Sequence, residues 1–199
     1  MTLTAAPPTR AGAFRRAYDA LNGRPHMAAV MIFSVIVVAH WAEHIAQAFQ
    51  IWVLGTPRPQ ARGVLGDFFP WLVTSEWLHY GFAIVMLIGL ILLRGGFTGR
   101  ARRFWDIALY IQVWHHFEHL LLLIQAQSHT YLGGGKVPTS ILQMFFPRVE
   151  LHLFYNAIVT IPMVVAVVLH LRPSRDELAH MHCSCADKVR GRNAFTPAA

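Results

Sequence analysis

Four long apolar stretches, separated by polar segments, set the pattern of this chain. They cover about residues 27–54, 71–93, 104–127 and 149–171. Each has the length of about 20 mostly apolar residues that a helix needs to cross the hydrocarbon core of a bilayer. Lipid offers no partner for an unpaired backbone group, and no stretch alternates apolar and polar residues as a barrel strand does. The pattern therefore predicts an all-α integral membrane protein, a bundle of four transmembrane helices within residues 27–171.

Basic residues predict how these helices are oriented. Arg and Lys are concentrated in the N-terminal tail 1–26, the connection 94–103 and the C-terminal tail 172–199. The connections 55–70 and 128–148 contain fewer basic residues and are rich in Gly and Pro. Because basic segments stay on the cytoplasmic side, we expect both termini in the cytoplasm and these two connections outside. The expected location is the cell membrane, as a multi-pass protein.

Composition supports the membrane class and narrows the remaining possibilities. Hydrophobic residues make up 55% of the 199 residues and charged residues 14%, whereas soluble domains average about 25% charged residues. The net charge of +7 is explained by membrane orientation, and no nucleic-acid-binding face is expected. Cys183 and Cys185 are too close in sequence to staple a fold, which excludes a disulfide framework. The twelve histidines are the unusual feature of the composition.

Polar residues recur near one end of every span. The first and third spans share the pattern H-x-x-E-H, formed by His40, Glu43 and His44 and by His115, His116, Glu118 and His119. The second and fourth spans carry Glu76 with His79 and Glu150 with His152. The similarity raises the hypothesis of a duplicated two-helix hairpin, with independent origin of the two halves as the open alternative.

These residues also fall at one depth. At 1.5 Å per residue, they lie about 18–30 Å from the expected cytoplasmic ends, in the outer half of a core about 30 Å thick. Ionisable residues inside a span are costly and usually carry function. Imidazole together with carboxylate is typical of iron, copper or zinc sites, and helix bundles hold two ions through Glu-x-x-His pairs such as Glu76 and His79.

The sequence thus predicts a metal centre, with two ions as the favoured number. Its predicted ligands are His40, Glu43, His44, Glu76, His79, His115, His116, Glu118, His119 and His152. Tyr80 shares the face of Glu76 and His79, and we assign it the role of proton or electron donor. Haem b is the less favoured cofactor: two histidines on facing helices could ligate it, but it leaves the carboxylates unexplained.

The expected function is redox or oxygen chemistry on a lipophilic substrate such as a quinone, which would make the protein a membrane oxidoreductase. A carrier of metal ions is the competing class, and it needs a second polar layer toward the cytoplasm. The inner halves of the first, second and fourth spans are almost purely apolar, so a path would require a homo-oligomer. A third alternative is that the polar residues only hydrogen-bond the helices to one another.

A second group of candidate ligands lies in the C-terminal tail. His180, His182, Cys183 and Cys185 fall within six residues of one another. Two imidazoles and two thiols suit zinc or monovalent copper, so the tail is either a metal-capturing segment or a solvated polar one. His26 and His170, at the ends of the first and fourth spans, are expected to be interfacial anchors.

Overall fold

The computed structural model describes residues 10–194, which are mostly helical with no strand among them. The helices are α1 Arg10–Leu21, α2 His26–Trp52, α3 Gly63–Phe68, α4 Pro70–Thr74, α5 Trp77–Leu93, α6 Gly99–Ser128, α7 Arg148–Leu171, α8 Arg175–Ala179 and α9 Cys185–Ala194. Four of them, α2, α5, α6 and α7, are long and apolar enough to cross a membrane.

The four long helices pack as a bundle in which chain neighbours touch. Helix α6 contacts α5 and α7, and α2 contacts the same two helices from the other side. Helices α2 and α6 therefore face each other across the bundle axis, as do α5 and α7. The middle of the bundle is filled by apolar side chains, among them Val37, Leu90, Trp105, Val159 and Ala166.

The second long helix begins later than the apolar pattern predicts. The prediction was a span over 71–93, but α5 starts at Trp77 and residues 70–74 form the separate helix α4. The break lies at Glu76, whose φ of 63° is in the left-handed region. This conformation costs a residue with a side chain about 1–2 kcal/mol. In this conformation the Glu76 carboxylate is buried and paired with Arg148.

At the end of the bundle that contains the predicted site, four side chains accept hydrogen bonds from the backbone of the two connections. Glu43 and Glu118 each accept a backbone hydrogen bond from the connection that follows their own helix, at 2.6 and 2.9 Å. Gln50 and Gln125, two turns further along, do the same at 2.9 and 2.8 Å. Helices α2 and α6 therefore hold the connections that follow them with the same kind of hydrogen bond, from side chains at matching positions.

The C-terminal segment is folded against the opposite end of the bundle. Glu177 on α8 forms an ion pair of 3.0 Å with Arg100 at the start of α6, and hydrogen bonds from Arg100 hold the pKa of that carboxyl well below its usual value. Ser184 donates a hydrogen bond of 2.7 Å to the backbone oxygen of Arg24. Helix α9 packs on α7. Part of the sequence that looks like a polar tail is thus built into the fold.

Candidate metal centre

Six of the predicted ligands meet inside the bundle, and we call them the histidine cluster. Its members are His40, His44, His79, His115, His119 and His152, each no more than 5% exposed. The facing helices α2 and α6 contribute two imidazoles each, one turn apart, because residues at i and i+4 share a helix face. Helices α5 and α7 contribute one each. All four long helices therefore take part in one cluster.

The imidazole rings are in mutual contact at one level of the bundle. Neighbouring ring centroids lie between 4.4 Å, for His115 and His119, and 6.0 Å, for His79 and His119. The ring of His152 lies 4.9 Å from that of His44 and 5.0 Å from that of His119, so α7 connects the contributions of α2 and α6. The side chains are close enough to act as one unit.

Hydrogen bonds to the outer ring nitrogens fix the orientation of two members. His44 Nδ1 donates to Gln47 Oε1 at 2.8 Å, and His152 Nδ1 donates to the backbone oxygen of Arg148 at 2.7 Å. Because the acceptors engage Nδ1–H, the lone pair of each ring is on Nε2. Neither Nε2 atom has a hydrogen-bond partner among the described residues. An imidazole held in this way is oriented as a metal ligand.

The pair on α6 is spaced for a shared ion. His115 Nε2 and His119 Nε2 lie 3.1 Å apart. Two imidazoles bound to one metal at about 2.0–2.1 Å place their nitrogens about 3.3 Å apart in tetrahedral geometry. The Nδ1 atoms of both rings, and that of His40, are buried with no partner in the described part of the chain.

The three predicted carboxylate ligands are engaged elsewhere. Glu43 and Glu118 bind backbone N–H groups of the two connections, as described above. Glu76 forms a bidentate ion pair with Arg148, in which one N···O distance is 2.7 Å. Its second oxygen lies 3.4 Å from Nδ1 of His79. Glu76 thus contacts His79, a member of the histidine cluster, but is not part of the cluster. The potential metal ligands of the cluster are all imidazole nitrogens.

Two further predicted residues lie apart from the cluster. The ring of His116 lies 5.5 Å from the ring of Tyr80, and both side chains are half-buried. They pack on each other at the side of the α5–α6 pair, because His116 is rotated by one residue, about 100°, from its neighbour His115. The structure therefore does not bring the predicted donor Tyr80 to the six imidazoles.

Tyr155 is the residue that sequence reasoning missed. It is 3% exposed, and its ring stacks on that of His115 at 4.2 Å. Its hydroxyl accepts a hydrogen bond of 2.7 Å from Trp114 Nε1 and lies beside the carboxylate of Glu118. The available signal was its position three residues after His152, on the same face of the helix. Apart from this spacing, the sequence does not distinguish Tyr155 from a lipid-facing aromatic residue.

The space around the histidine cluster has three distinct parts. A narrow gap lined by His115, His119, His152 and Tyr155 has no room for a water molecule. A cleft of about 440 Å³ opens between the two connections and reaches Gln47 and His79. An apolar groove of about 400 Å³ runs along α5 over Phe82, whose ring lies 4.5 Å from that of His40.

A second group of ligands lies at the opposite end of the bundle, and we call it the Cys2His2 cluster. Its members are His26, His170, Cys183 and Cys185. All are buried, their ligand atoms lie within 4.8 Å of one another, and the group could bind a metal ion. Among the described residues, three or more ligand atoms are gathered this closely here and not in the histidine cluster. A hydrogen bond with Cys185 lowers the pKa of the Cys183 thiol, with further contributions from His170 and His26.

This arrangement corrects the expected tail cluster. His180 and His182 are exposed and take no part, while the two cysteines turn inward. His26 and His170 were expected to be interfacial anchors. They are 0% and 2% exposed, and they lie beside the two cysteines in place of His180 and His182. Spacing along the chain could not show this, because the partners come from three distant segments.

Residues 10–194 thus define an all-helical protein with four candidate membrane spans and a His/Cys group able to hold a metal ion. No protein-family model, no curated protein and no solved structure matches the chain. Its function is therefore inferred from the geometry of the two clusters.

Proposed function

We propose that the chain is a multi-pass membrane protein in which α2, α5, α6 and α7 are the spans and both termini are cytoplasmic. Only 28–50% of the most apolar window of each helix is buried inside the bundle. The side chains that face outward are large and apolar, for example Ile32, Val35, Ile88, Ile107 and Val164. A polar interior with an apolar exterior is favourable in lipid. The distribution of Arg and Lys supports the orientation.

We further propose that the histidine cluster binds transition-metal ions in the outer half of the bilayer. Five buried ring nitrogens of the cluster have no hydrogen-bond partner among the described residues. Leaving a buried polar atom unpaired costs about 1–3 kcal/mol. Helices that used histidine only to hydrogen-bond one another would satisfy these atoms. Metal ions bound between the rings would take up the lone pairs of the unpaired Nε2 atoms of His44 and His152, and these two unpaired ligand atoms are the observation that carries the proposal.

Six imidazoles suffice for two ions with three protein ligands each. Three ligands leave a coordination position open to a substrate, as in catalytic metal sites. A small rearrangement of side chains would bring the ligand atoms around each ion, since the rings are already in contact. The carboxylates Glu43, Glu76 and Glu118 serve in this proposal as structural ties and not as bridging ligands, given the partners they have.

The use we propose for this centre is redox chemistry on a lipophilic substrate, which requires iron or copper because zinc has no redox chemistry. The apolar groove over Phe82 gives a hydrophobic molecule such as a quinone an approach to His40 from the side of the bundle. Tyr155 is positioned to hold or move a proton beside His115, because its ring stacks on His115 and its hydroxyl lies beside the Glu118 carboxylate. It takes the role that the sequence assigned to Tyr80.

Two alternatives are less well supported. Haem b would need much more room than the narrow gap beside His115, His119 and His152, which does not admit a water molecule. A transport path would have to pass the apolar core, which contains Leu90 and Trp105, both 0% exposed. Along α2 the distance from His26 to His40 is about 21 Å at 1.5 Å per residue, and a desolvated ion would have no ligand for most of it.

Metal analysis of the purified full chain tests the proposal. We expect about two iron or copper ions per chain in detergent, lost in His115→Ala/His119→Ala and retained in His116→Ala, which removes the neighbouring imidazole outside the cluster. Equal iron and copper contents in the three proteins would contradict a metal centre at the histidine cluster. Reduction of the oxidised centre by a short-chain quinol, followed by its optical and electron paramagnetic spectra, tests the redox role. A centre that no quinol reduces would favour metal handling instead.

A further inference from the structure

The Cys2His2 cluster connects three separate parts of the molecule and plays no part in the proposed redox centre. His26 begins α2, His170 lies in the last turn of α7, and the cysteines belong to the C-terminal segment. The four side chains are 0–3% exposed. A flexible capturing tail would leave its ligands in solvent, so their complete burial indicates a structural role.

The distances within the cluster match a tetrahedral site. Cys183 Sγ lies 3.4 Å from His170 Nε2, and Cys185 Sγ lies 3.9 Å from His26 Nδ1. A zinc ion with Zn–S of about 2.3 Å and Zn–N of about 2.0–2.1 Å places sulfur and nitrogen about 3.6 Å apart. The observed distances lie on either side of this value, so an ion requires only small movements.

The surroundings of His26 select the ring nitrogen that faces the cysteines. Its Nε2–H donates to the backbone oxygen of Leu93 at 3.1 Å, which leaves the lone pair on Nδ1. Such a hydrogen bond on the far nitrogen is the usual support of a metal-bound histidine. Gly96 makes room for the ring: a Cβ at this position would lie 2.2 Å from His26 Nε2. The space left by Gly96 and the hydrogen bond to Leu93 thus both orient His26 to bind a metal ion through Nδ1.

We propose that His26, His170, Cys183 and Cys185 bind one zinc ion in a closed structural site that fastens the C-terminal segment to the bundle. Two thiolates and two imidazoles in tetrahedral geometry are the donor set of structural zinc. Two thiolates neutralise the charge of Zn²⁺, so the site carries no net charge where it is buried. Four protein ligands leave no open coordination position, so the site binds and does not catalyse.

Zinc analysis of the full chain in detergent tests the proposal, with exposed neighbours of the ligands as the matched control. We expect one zinc ion per chain in the wild type and in His180→Ala/His182→Ala, and none in Cys183→Ser/Cys185→Ser. Replacement of the ion by Co²⁺ should give thiolate-to-cobalt charge transfer and the strong d–d bands of tetrahedral coordination. Equal zinc in all three proteins, copper in place of zinc, or a Cys183–Cys185 disulfide in protein kept under reducing conditions would overturn it.

A second measurement covers the case in which the serine variant fails to fold. Zinc is removed from wild-type protein with a chelator, and thiol labelling is followed before and after zinc is returned. We expect both cysteines to be protected with zinc, labelled without it and protected again on its return; labelling that zinc does not change would refute the site. His115→Ala/His119→Ala should keep this zinc, which separates the failure of this proposal from the failure of the redox centre.

Discussion

Glu76 and Arg148 form a bidentate ion pair between α5 and α7, directly behind His79. The carboxylate is 4% exposed and the guanidinium 34% exposed. Glu76 holds a left-handed backbone conformation at the point where α5 begins. The pair therefore joins the two facing helices that contribute one imidazole each to the histidine cluster, and it sets where the second of the long helices starts.

Removal of the charge of Glu76 should destabilise the bundle far more than removal of a matched exposed charge. Loss of one partner of a buried ion pair costs about 3–5 kcal/mol, and the partial exposure of Arg148 places Glu76→Gln near the lower limit. Glu150 pairs with Arg58 at 2.6 Å, with 33% and 48% exposure. We expect Glu150→Gln to cost less than about 1 kcal/mol. Thermal unfolding in detergent, followed by circular dichroism, gives the comparison; equal Tm values would show that the buried pair has no special role.

Glu43 and Glu118 provide the sharpest test of whether carboxylates ligate the metal. Glutamine keeps the oxygen that accepts the backbone hydrogen bond, whereas alanine removes it. We expect Glu43→Gln and Glu118→Gln to retain the metal and most of the stability. The alanine variants should lose about 1.5–3 kcal/mol each, the value of a hydrogen bond to a charged group. Metal content and unfolding are measured on the same samples, and loss of metal in the glutamine variants would return these residues to the ligand set.

Tyr155 and Tyr80 differ in their contacts with the histidine cluster, so their phenylalanine variants should differ in rate. Tyr155→Phe keeps the stacking on His115 but removes the hydroxyl that lies beside the Glu118 carboxylate. A positioned proton-transfer group contributes roughly 10²–10⁴-fold. We expect a loss in this range for reduction of the centre by quinol, with unchanged metal content, and a wild-type rate for Tyr80→Phe. A slow Tyr80→Phe with a normal Tyr155→Phe would reverse the assignment.

Gly96 should control zinc binding without being a ligand. The Cβ of Gly96→Ala would meet the ring of His26 at 2.2–2.4 Å, so the imidazole has to move. Loss of a supporting contact of a metal ligand typically costs 10–100-fold in affinity, about the effect we expect on zinc affinity in a competition titration. Gly191→Ala is the control because a Cβ there meets nothing within 4 Å. An unchanged affinity in Gly96→Ala would show that His26 does not bind the ion through this arrangement.

Membrane orientation can be measured with single cysteines at exposed positions. Lys136→Cys lies in the connection proposed to be outside, and Gly191→Cys lies in the C-terminal segment. With impermeant reagent on intact cells, we expect labelling of the first and not of the second. The native cysteines are buried and contribute little background. Labelling of Gly191→Cys alone would invert the orientation.

The sequence was most informative where structure follows from local periodicity. Apolar length predicts the four long helices, and the i, i+4 spacing of His40 with His44 and of His115 with His119 predicts that each pair shares a face. The start of α5 was placed too early, because the left-handed conformation of Glu76 depends on a partner 72 residues away. A hydropathy pattern carries no information about such a contact.

The Cys2His2 cluster marks the limit of prediction from spacing. Cys183 and Cys185 were recognised as ligands, but their partners depend on how the C-terminal segment returns to the bundle. That return is set by long-range contacts such as the hydrogen bond from Ser184 to Arg24 and the ion pair of Glu177 with Arg100. Neighbours in sequence, His180 and His182, were therefore assigned in place of His26 and His170, which are neighbours in space.

The order of the ligands along the chain has a consequence for biosynthesis. His26 opens the first long helix, whereas Cys183 and Cys185 follow the last, so the Cys2His2 cluster cannot close until all four helices have been synthesised and assembled. The four ligands of this cluster thus come together only in a correctly assembled chain. A chain whose last hairpin is misplaced would present two unprotected thiols, a chemical mark by which a cell could distinguish unfinished molecules from finished ones.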